Sequence, residues 1–375
     1  MLFRSADGKP IELINKDSAE KFGWPLGVVA GDPAVDPLLA KANFKLEVNN
    51  LTVRAEFSAN GVHEVKTLRL EPDNYLIDVD SQLTKQGSAI PHRLAWHGGF
   101  GDQSLPPDPA QISAISAVPG QKFEAIPLNK IEGVADRNTT IAGTKDKYFV
   151  AAFVLPAAAA MQITKQDFTV SGKSVGIVGV TAPVTGALKL YIGPQDEDWL
   201  RKADPRLPLI VNYGFFEVIT RPLLVALLWI HNYIGNFGWA IVLLTIGINF
   251  ILFPLRLKQQ LSMQKMQKLS PQMRTLQDKY KKLKANDPRR NEVQMEMMNL
   301  YKENGVNPMG GCLPMLLQMP LLFAFWNMLS VSIELRRAPW ILWIKDLSQH
   351  DPYFIIPILM AVSMIITQKI GRAHV

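Results

Sequence analysis

"FGWAIVLLTIGINFILFPL", Phe237–Leu255, holds nineteen residues and no charge. As a helix it is about 28 Å long, close to the hydrocarbon thickness of a bilayer. It is read as a transmembrane helix closed by Pro254 and the following "RLK". Asn249 lies near its middle, with Thr245 one turn earlier on the same face. An amide left unpaired in hydrocarbon costs roughly 2–7 kcal/mol, so a membrane helix that keeps one there needs a reason for it.

Outward from this run the composition is uneven. Met1–Asp204 carries 21 Lys/Arg against 24 Asp/Glu, net −3, and the remainder carries 19 against 9, net +10. Arg256–Glu303 alone holds 12 basic and 5 acidic residues. A basic chain can bind nucleic acid. Here the basic block is flanked by apolar segments, which reads as a cytoplasmic membrane loop with no specific nucleic-acid sequence as partner. A second uncharged run spans Cys312–Ile333, and a third apolar segment starts at Tyr353. The connection Glu334–Pro352 carries three Lys/Arg. The charge bias puts the basic block in the cytoplasm and the first 200 or so residues on the outer side.

Those first residues read as β. Phe44, Leu46 and Val48 alternate, then Leu51, Val53, Ala55 and Phe57; Tyr75, Ile77 and Val79 follow a Pro-Asp-Asn turn, and Leu188, Leu190 and Ile192 close the series. Period-two runs broken by Gly, Pro and Asn predict an antiparallel sandwich. No helical pattern competes until "DEDWLRKADP". Between the β region and the span, Glu217 and Arg221 lie one turn apart ahead of Trp229 and Tyr233. This segment predicts an amphipathic helix in the interface, with a tilted span built on a Glu217–Arg221 pair as the other solution. In the basic block, Met266, Leu269, Met273, Leu276, Tyr280 and Leu283 recur at steps of three and four, and Val293, Met297 and Leu300 resume after "KANDPRR". Two antiparallel amphipathic helices follow. Their apolar stripe holds the hairpin together and leaves a basic outer face, with Lys281, Lys282, Lys284, Arg289 and Arg290 at the tip.

Cys312 is the only cysteine, so neither an intrachain disulfide nor a thiolate metal cluster is possible. "MGGC" resembles a lipidation box, but such a box belongs near an N-terminus. "MLFRS" and "IGRAHV" at the ends read as translated adapter sequence, and the natural protein is expected to extend further both ways. The sequence as given shows no signal peptide, so an N-terminal membrane anchor is expected in the natural extension.

Several stretches carry a family resemblance: "VNPMGGCLPMLLQMPLLFAFWNML", "YIGPQDEDWL", "NYGFF…RPLL…WIHNYIGN", "MEMMNLYKENGVNP", "ELRRAPWILWIKDLSQHDPYFIIPILM", and "NGV" with "DNYLIDV" in the β region. Together they resemble the YidC family of membrane protein insertases, in its Gram-negative form, over nearly the whole chain. The resemblance implies a periplasmic all-β supersandwich domain followed by an α-helical membrane insertase core, of which three of five helices are present. The segments are then 6–204, periplasmic β domain; 205–236, interfacial helix; 237–255, transmembrane; 256–311, cytoplasmic hairpin; 312–333, transmembrane; 334–352, periplasmic connection; and 353–369, a truncated transmembrane helix in the bacterial inner membrane.

It further implies a water-filled groove, open to cytoplasm and lipid, that shelters the polar part of an incoming segment. The matching groove positions are Thr245, Asn249 and Gln318. The family commonly has arginine where Asn249 stands; the amide keeps donor and acceptor capacity without charge. Amides in membrane helices also serve as bridges between helices. Gln318, between Pro314 and Pro320, has freed carbonyls to serve instead, and Asn327 reads as a packing residue. Apolar candidates for a substrate slide are Leu317, Leu321, Phe325 and Met328, with Ile356, Met360 and Met364 on the third segment. Implied partners are nascent membrane proteins, the ribosome and the Sec translocon, with anionic lipid the other partner for the basic hairpin. No cofactor is implied.

Two other functions are weighed. A mutarotase-like, carbohydrate-binding protein would use His63, His92, His97 and Glu124. A secondary transporter would use the mid-membrane polar residues, but no paired halves or inverted repeat are visible. No nucleotide loop, catalytic triad motif or HExxH occurs, so the chain is not read as an enzyme.

Overall fold

A computed structural model describes residues 11–103, 111–118, 123–170, 173–186, 188–282, 289–304 and 313–373. The chain divides into two units, Met1–Asn212 with Val331–Ile333, and Tyr213–Ser330 with Glu334–Val375.

The first unit is β. Its strands are β1 (Gly27–Val29), β2 (Lys45–Asn49), β3 (Thr52–Ala59), β4 (Val62–Leu70), β5 (Leu76–Lys85), β6 (Ser88–Ala89), β7 (Arg93–Trp96), β8 (Ser113–Ala117), β9 (Glu124–Pro127), β10 (Val134–Lys145), β11 (Phe149–Val170), β12 (Lys173–Pro183) and β13 (Leu188–Pro194). Asn60-Gly61 between β3 and β4 and Gln86-Gly87 between β5 and β6 all have positive φ. Both are two-residue hairpin turns that match the twist of the strands they join. The sheet runs β1-β7-β12-β11-β13-β5-β4-β3-β2, with β10 beside β11 and then β8 and β9.

The long strand β11 makes the corner. Phe149–Val154 pairs with β13, Gln162–Val170 with β12, and Pro156, which has no N–H to give a ladder, falls between. Opposite it, β10 shifts register between Thr139 and Ile141. There Thr139 Oγ1 accepts from Ala117 N at 3.0 Å and donates to Ile141 O at 2.8 Å. The arms close on one core: Val79, Leu188 and Leu190 from one, Leu94, Trp96, Val178 and Val180 from the other, and Phe149, Phe153 and Met161 from β11.

Val79, Leu188 and Leu190 are buried as their alternation predicts, but Leu46 and Val48 are 62% and 70% exposed. β2 ends its arm, so the period-two pattern there marks a strand without marking a buried face. Two short helices escape the periodicity reading, α1 (Lys16–Phe22) and α2 (Asp36–Ala40). The α1 N-terminus is signalled by Asn15, whose side chain accepts from Ser18 N at 3.0 Å. Helix α3 (Glu197–Ala203) is the "DEDWLRKADP" helix, capped by Asp196.

The unit reaches past Asp204 because Leu207 and Ile210 are buried and Lys145 Nζ donates to Ile210 O at 3.1 Å and to Gln195 Oε1 at 3.2 Å. Burial holds the Lys145 pKa down to about 8. An unfolded lysine titrates near 10.4, so between these values the unfolded chain binds more protons and stability rises with pH. Below pH 8 the full penalty applies. We expect the unfolding free energy of the wild type to gain on the order of 1–2 kcal/mol more than that of Lys145→Met over this window. Parallel pH profiles in urea unfolding would refute it.

The second unit is helical: α4 (Glu217–Ile234), α5 (Phe237–Lys282), α6 (Arg289–Glu303), α7 (Leu313–Val331) and α8 (Ile355–Ala373). α4 ends at Gly235, with φ 71° and its N–H on His231 O at 2.7 Å. Asn236 then caps α5, accepting from Trp239 N at 3.2 Å. Contrary to the sequence reading, α5 does not close at Pro254. It continues through Pro254 and Pro271 as one 46-residue helix. A mid-helix proline removes one ladder bond and bends or breaks the helix only where nothing else supports it. Here α6 packs against the far half of α5, where Leu269 and Met273 are buried. Among the described residues one helix, Phe237–Met266, is long and apolar enough to cross a bilayer by length and composition, and Ile355–Gln368 is a shorter apolar helix. The three expected spans are thus one span and two apolar helices, α7 and α8.

Candidate functional site

The helical core fixes which faces are free. Leu227 of α4, Ala240 and Leu244 of α5 and Met328 of α7 are buried together, with Phe325, Leu329 and Ile248 packed against them. The fully buried Thr220 hydroxyl lies 3.0 Å from Phe216 O of its own segment and 3.3 Å from Ala324 O of α7, with one proton to share between them. The small, fully buried Ala324 permits that approach. On the far side of α4, Val218, Val225, Trp229 and Tyr233 form an exposed apolar stripe, with Trp229 and Tyr233 edge to face at 4.8 Å. Glu217 and Arg221 pair at 2.6 Å at the start of α4.

This packing places part of the expected α7 slide against other helices. Met328 is 0% exposed, and Leu321 and Phe325 are half-buried, so this stripe faces the helical core. Among the described residues, the apolar surface α7 leaves free is Leu316, Met319, Leu322, Phe323 and Trp326, the last 69% exposed. α7 is largely apolar and carries no continuous polar stripe, so its sequence gives no phase; the Thr220–Ala324 contact supplies it. Leu317 lies outside the described side chains. Ile356, Met360 and Met364 share one exposed face of α8.

The polar candidates separate. Thr245 Oγ1 donates to Ile241 O at 2.8 Å, and Asn249 Nδ2 donates to Thr245 O at 2.7 Å. The amide is therefore partly satisfied by its own helix. Its carbonyl oxygen and second N–H make no hydrogen bond among the described residues. Gln318 is exposed on α7 and is not bonded to either of them. Asn327 Nδ2 reaches Tyr213 O at 3.4 Å, a packing role as read from the sequence. Lys284 lies outside the described residues, and so do the side chains of Lys281, Lys282, Arg289 and Arg290.

The N-terminal end of the same α5 face is partly covered by the connection ahead of α8. Gly238, Ile241, Thr245 and Asn249 follow one another at three- and four-residue steps, on one side of the helix. Gly238, Ile241 and Val242 line a cavity of about 550 Å³ with Trp340, Trp343, Leu347 and Ile356. The connection that walls it is built on two carboxylates. Asp346 accepts from Arg337 N (2.9 Å) and Ser348 N (2.8 Å), and Asp351 accepts from Trp343 Nε1 (3.0 Å) and from Ile356 N (2.8 Å) at the start of α8. Asn236 Nδ2 ties α5 to this loop through Pro339 O and Trp340 O, at 3.2 and 3.3 Å. Sequence reading passed over Gly238, Thr220 and Asp351. The "DP" before α8 is the one local signal among them.

The residues weighed for sugar chemistry do not assemble. His92 Nε2 lies 2.8 Å from Ser81 Oγ, His97 Nδ1 lies 3.4 Å from Gln166, His63 sits by Glu56, and Glu124 pairs with Arg137. Burial lowers the pKa of both His92 and His97. Among the described residues no group of three or more His, Cys, Asp or Glu is placed to hold a metal ion.

Comparison with known proteins also finds two parts, divided within α4 rather than ahead of it. Residues 4–226 match the family model of the YidC periplasmic domain, and residues 229–374 match that of the 60Kd inner membrane protein. The chain belongs to the YidC family of membrane protein insertases. A membrane protein insertase YidC of Cupriavidus necator is 34% identical over 389 residues, covering 97% of this chain and 68% of the relative. That of Burkholderia multivorans is 32% identical over 403 residues, covering 99% and 70%. That of Wolinella succinogenes is 50% identical over 180 residues, 48% of this chain and 32% of the relative. The β unit is thus of the periplasmic type, and the chain is an inner-membrane protein of an insertase family.

Proposed function

We propose that this chain is a membrane protein insertase and chaperone that passes nascent segments into the inner membrane along the Thr245–Asn249 face of α5. The observation that carries the proposal is the free hydrogen-bonding capacity of Asn249 at mid-span, on a face partly covered at its N-terminal end by the Trp340 connection and continuing along the helix to Arg256. A polar segment entering hydrocarbon pays for every unsatisfied group. An amide and its hydration at that depth shorten the apolar distance to be crossed. Transfer of the segment's apolar part into lipid supplies the driving force, so no nucleotide is needed. The exposed Ile356–Met360–Met364 face of α8 suits the apolar part, since flexible methionines accept varied partners.

The finer reading has the β unit as a supersandwich, α4 in the interface, and α7 and α8 crossing the membrane beside α5 as part of a larger core, with Gln318 joining the groove. Positive charge after α5 supports a cytoplasmic hairpin that meets the ribosome or anionic headgroups. Cooperation with the Sec translocon is part of this reading, and family membership is its support.

Asn249→Leu should lower insertion of a small ribosome-stalled client in vesicles about tenfold, while Asn249→Arg keeps it. A photo-crosslinking residue at 249 should capture the client before insertion and lose it afterwards. Full insertion by Asn249→Leu, with 249 silent, would make the amide a helix-internal bond and move the path elsewhere.

A further inference from the structure

The free edge of the β unit carries a self-complementary pattern. Among the described residues β2 pairs only with β3, and all five of its residues are exposed. Leu46 and Val48 share one face with Phe44; Lys45 and Glu47 share the other, Nζ to Oε1 at 3.3 Å. An edge strand offers unpaired N–H and C=O groups to another strand, and edges are commonly protected by proline or by charged side chains, lysine especially, whose charge a like strand would have to meet. β2 has no proline, and its two charges are opposite.

The turn sets which groups are free. β2 and β3 close at Asn49↔Thr52 around two residues, so Lys45, Glu47 and Asn49 bond inward to β3. The N–H and C=O of Leu46 and Val48 point to the open side, and those of Phe44 follow by alternation. We propose that β2 pairs antiparallel with β2 of a second copy of this chain, centred on Leu46, so that two β units share one continuous sheet. A two-fold pair opposes residues of the same face, so its centre falls on a residue. Centred on Leu46, Leu46 bonds its own counterpart through both backbone groups, and Phe44 lies opposite Val48. Lys45 then lies opposite Glu47 at the non-hydrogen-bonded positions, where side chains come closest. Centring on Glu47 sets that carboxylate against itself, centring on Lys45 sets two ammoniums together, and centring on Val48 leaves Lys45 beyond the strand. The pair is small beside the roughly 1,200–2,000 Å² of a stable interface. It is therefore weak in dilute solution and gains when both copies are confined to one membrane.

The test uses the full chain in detergent with Cys312→Ser, so that only introduced thiols react. Lys45→Cys and Glu47→Cys are oxidised separately and as a mixture. The mixture should give disulfide-linked dimers several-fold more than either alone. In sedimentation, Glu47→Lys should weaken the dimer about tenfold, and Lys45→Glu with Glu47→Lys should restore it. These side chains are exposed, so circular dichroism should be unchanged. Equal or absent cross-linking in all three samples, or no rescue by the double swap, overturns the proposal. The proposal does not rest on the groove.

Discussion

Gly143→Val is expected to unfold the β unit under conditions where the wild type is fully folded. Gly143 lies in β10 between Ala152 of β11 and Ile115 of β8. A Cβ there would sit 2.7 Å from Ala152 Cα and 2.8 Å from Ala152 Cβ, and nearer still to the Ala151 carbonyl oxygen. Two of these are backbone atoms of a central strand and the third is bonded directly to it, so none can swing aside. Ala142, Ala151 and Ala152 around it are buried, so the layer is built for small residues. Overpacking a core costs typically about 1–3 kcal/mol when side chains adjust. Against backbone the cost should be at least about 3 kcal/mol, a large share of a domain's stability. Loss of the sheet's circular dichroism on mild heating is the readout. A variant within about 1 kcal/mol of wild type would mean that β10 and β11 are further apart than this structure has them.

Gly238→Val should do comparable damage to the helical unit. Its Cβ would lie 2.6 Å from Trp340 Cβ and nearer still to Cγ and Cδ1. The indole cannot retreat, because Asn236 holds the Trp340 carbonyl and Trp340 N donates to Ile344 O at 3.0 Å. The substitution must therefore lift the connection off α5 and open the cavity at the outer end. We expect a loss of at least about 3 kcal/mol in detergent and a fall of tenfold or more in client insertion. Gly247→Ala on the same helix is the control. Nothing lies within 4 Å of its Cβ position, and alanine favours a helix over glycine by about 1 kcal/mol. Equal behaviour of the two variants would remove the cavity wall from the mechanism.

What could be read from the sequence follows from which forces act on composition and which on arrangement. The apolar run at Phe237–Leu255 and the basic block after it are legible because lipid and membrane potential respond to residue type. The hairpin register of β3 and β4 is legible at Asn60-Gly61 because few residues accept positive φ. The face of α7 is not, since an apolar helix with no polar stripe has no phase until Thr220 meets Ala324. β2 misleads for the opposite reason: its alternation is that of a buried strand, and its place in the sheet order leaves it bare. Asn249 is recognised by type and depth, while its bond to Thr245 O depends on a rotamer that no pattern encodes.

The continuity of α5 makes it a lever. Its 46 residues span about 69 Å, and Lys282 stands about 50 Å along the axis from Asn249. A body that pushes the hairpin end sideways by about 5 Å tilts a rod of that length by about 6°. The tilt arrives as an angular displacement at the residues that border the helical core. Pro254 and Pro271, each lacking one ladder bond, are the two compliant joints where such a load is taken up. Stiffening either joint by replacing its proline with alanine changes how much of a push at the hairpin reaches mid-membrane.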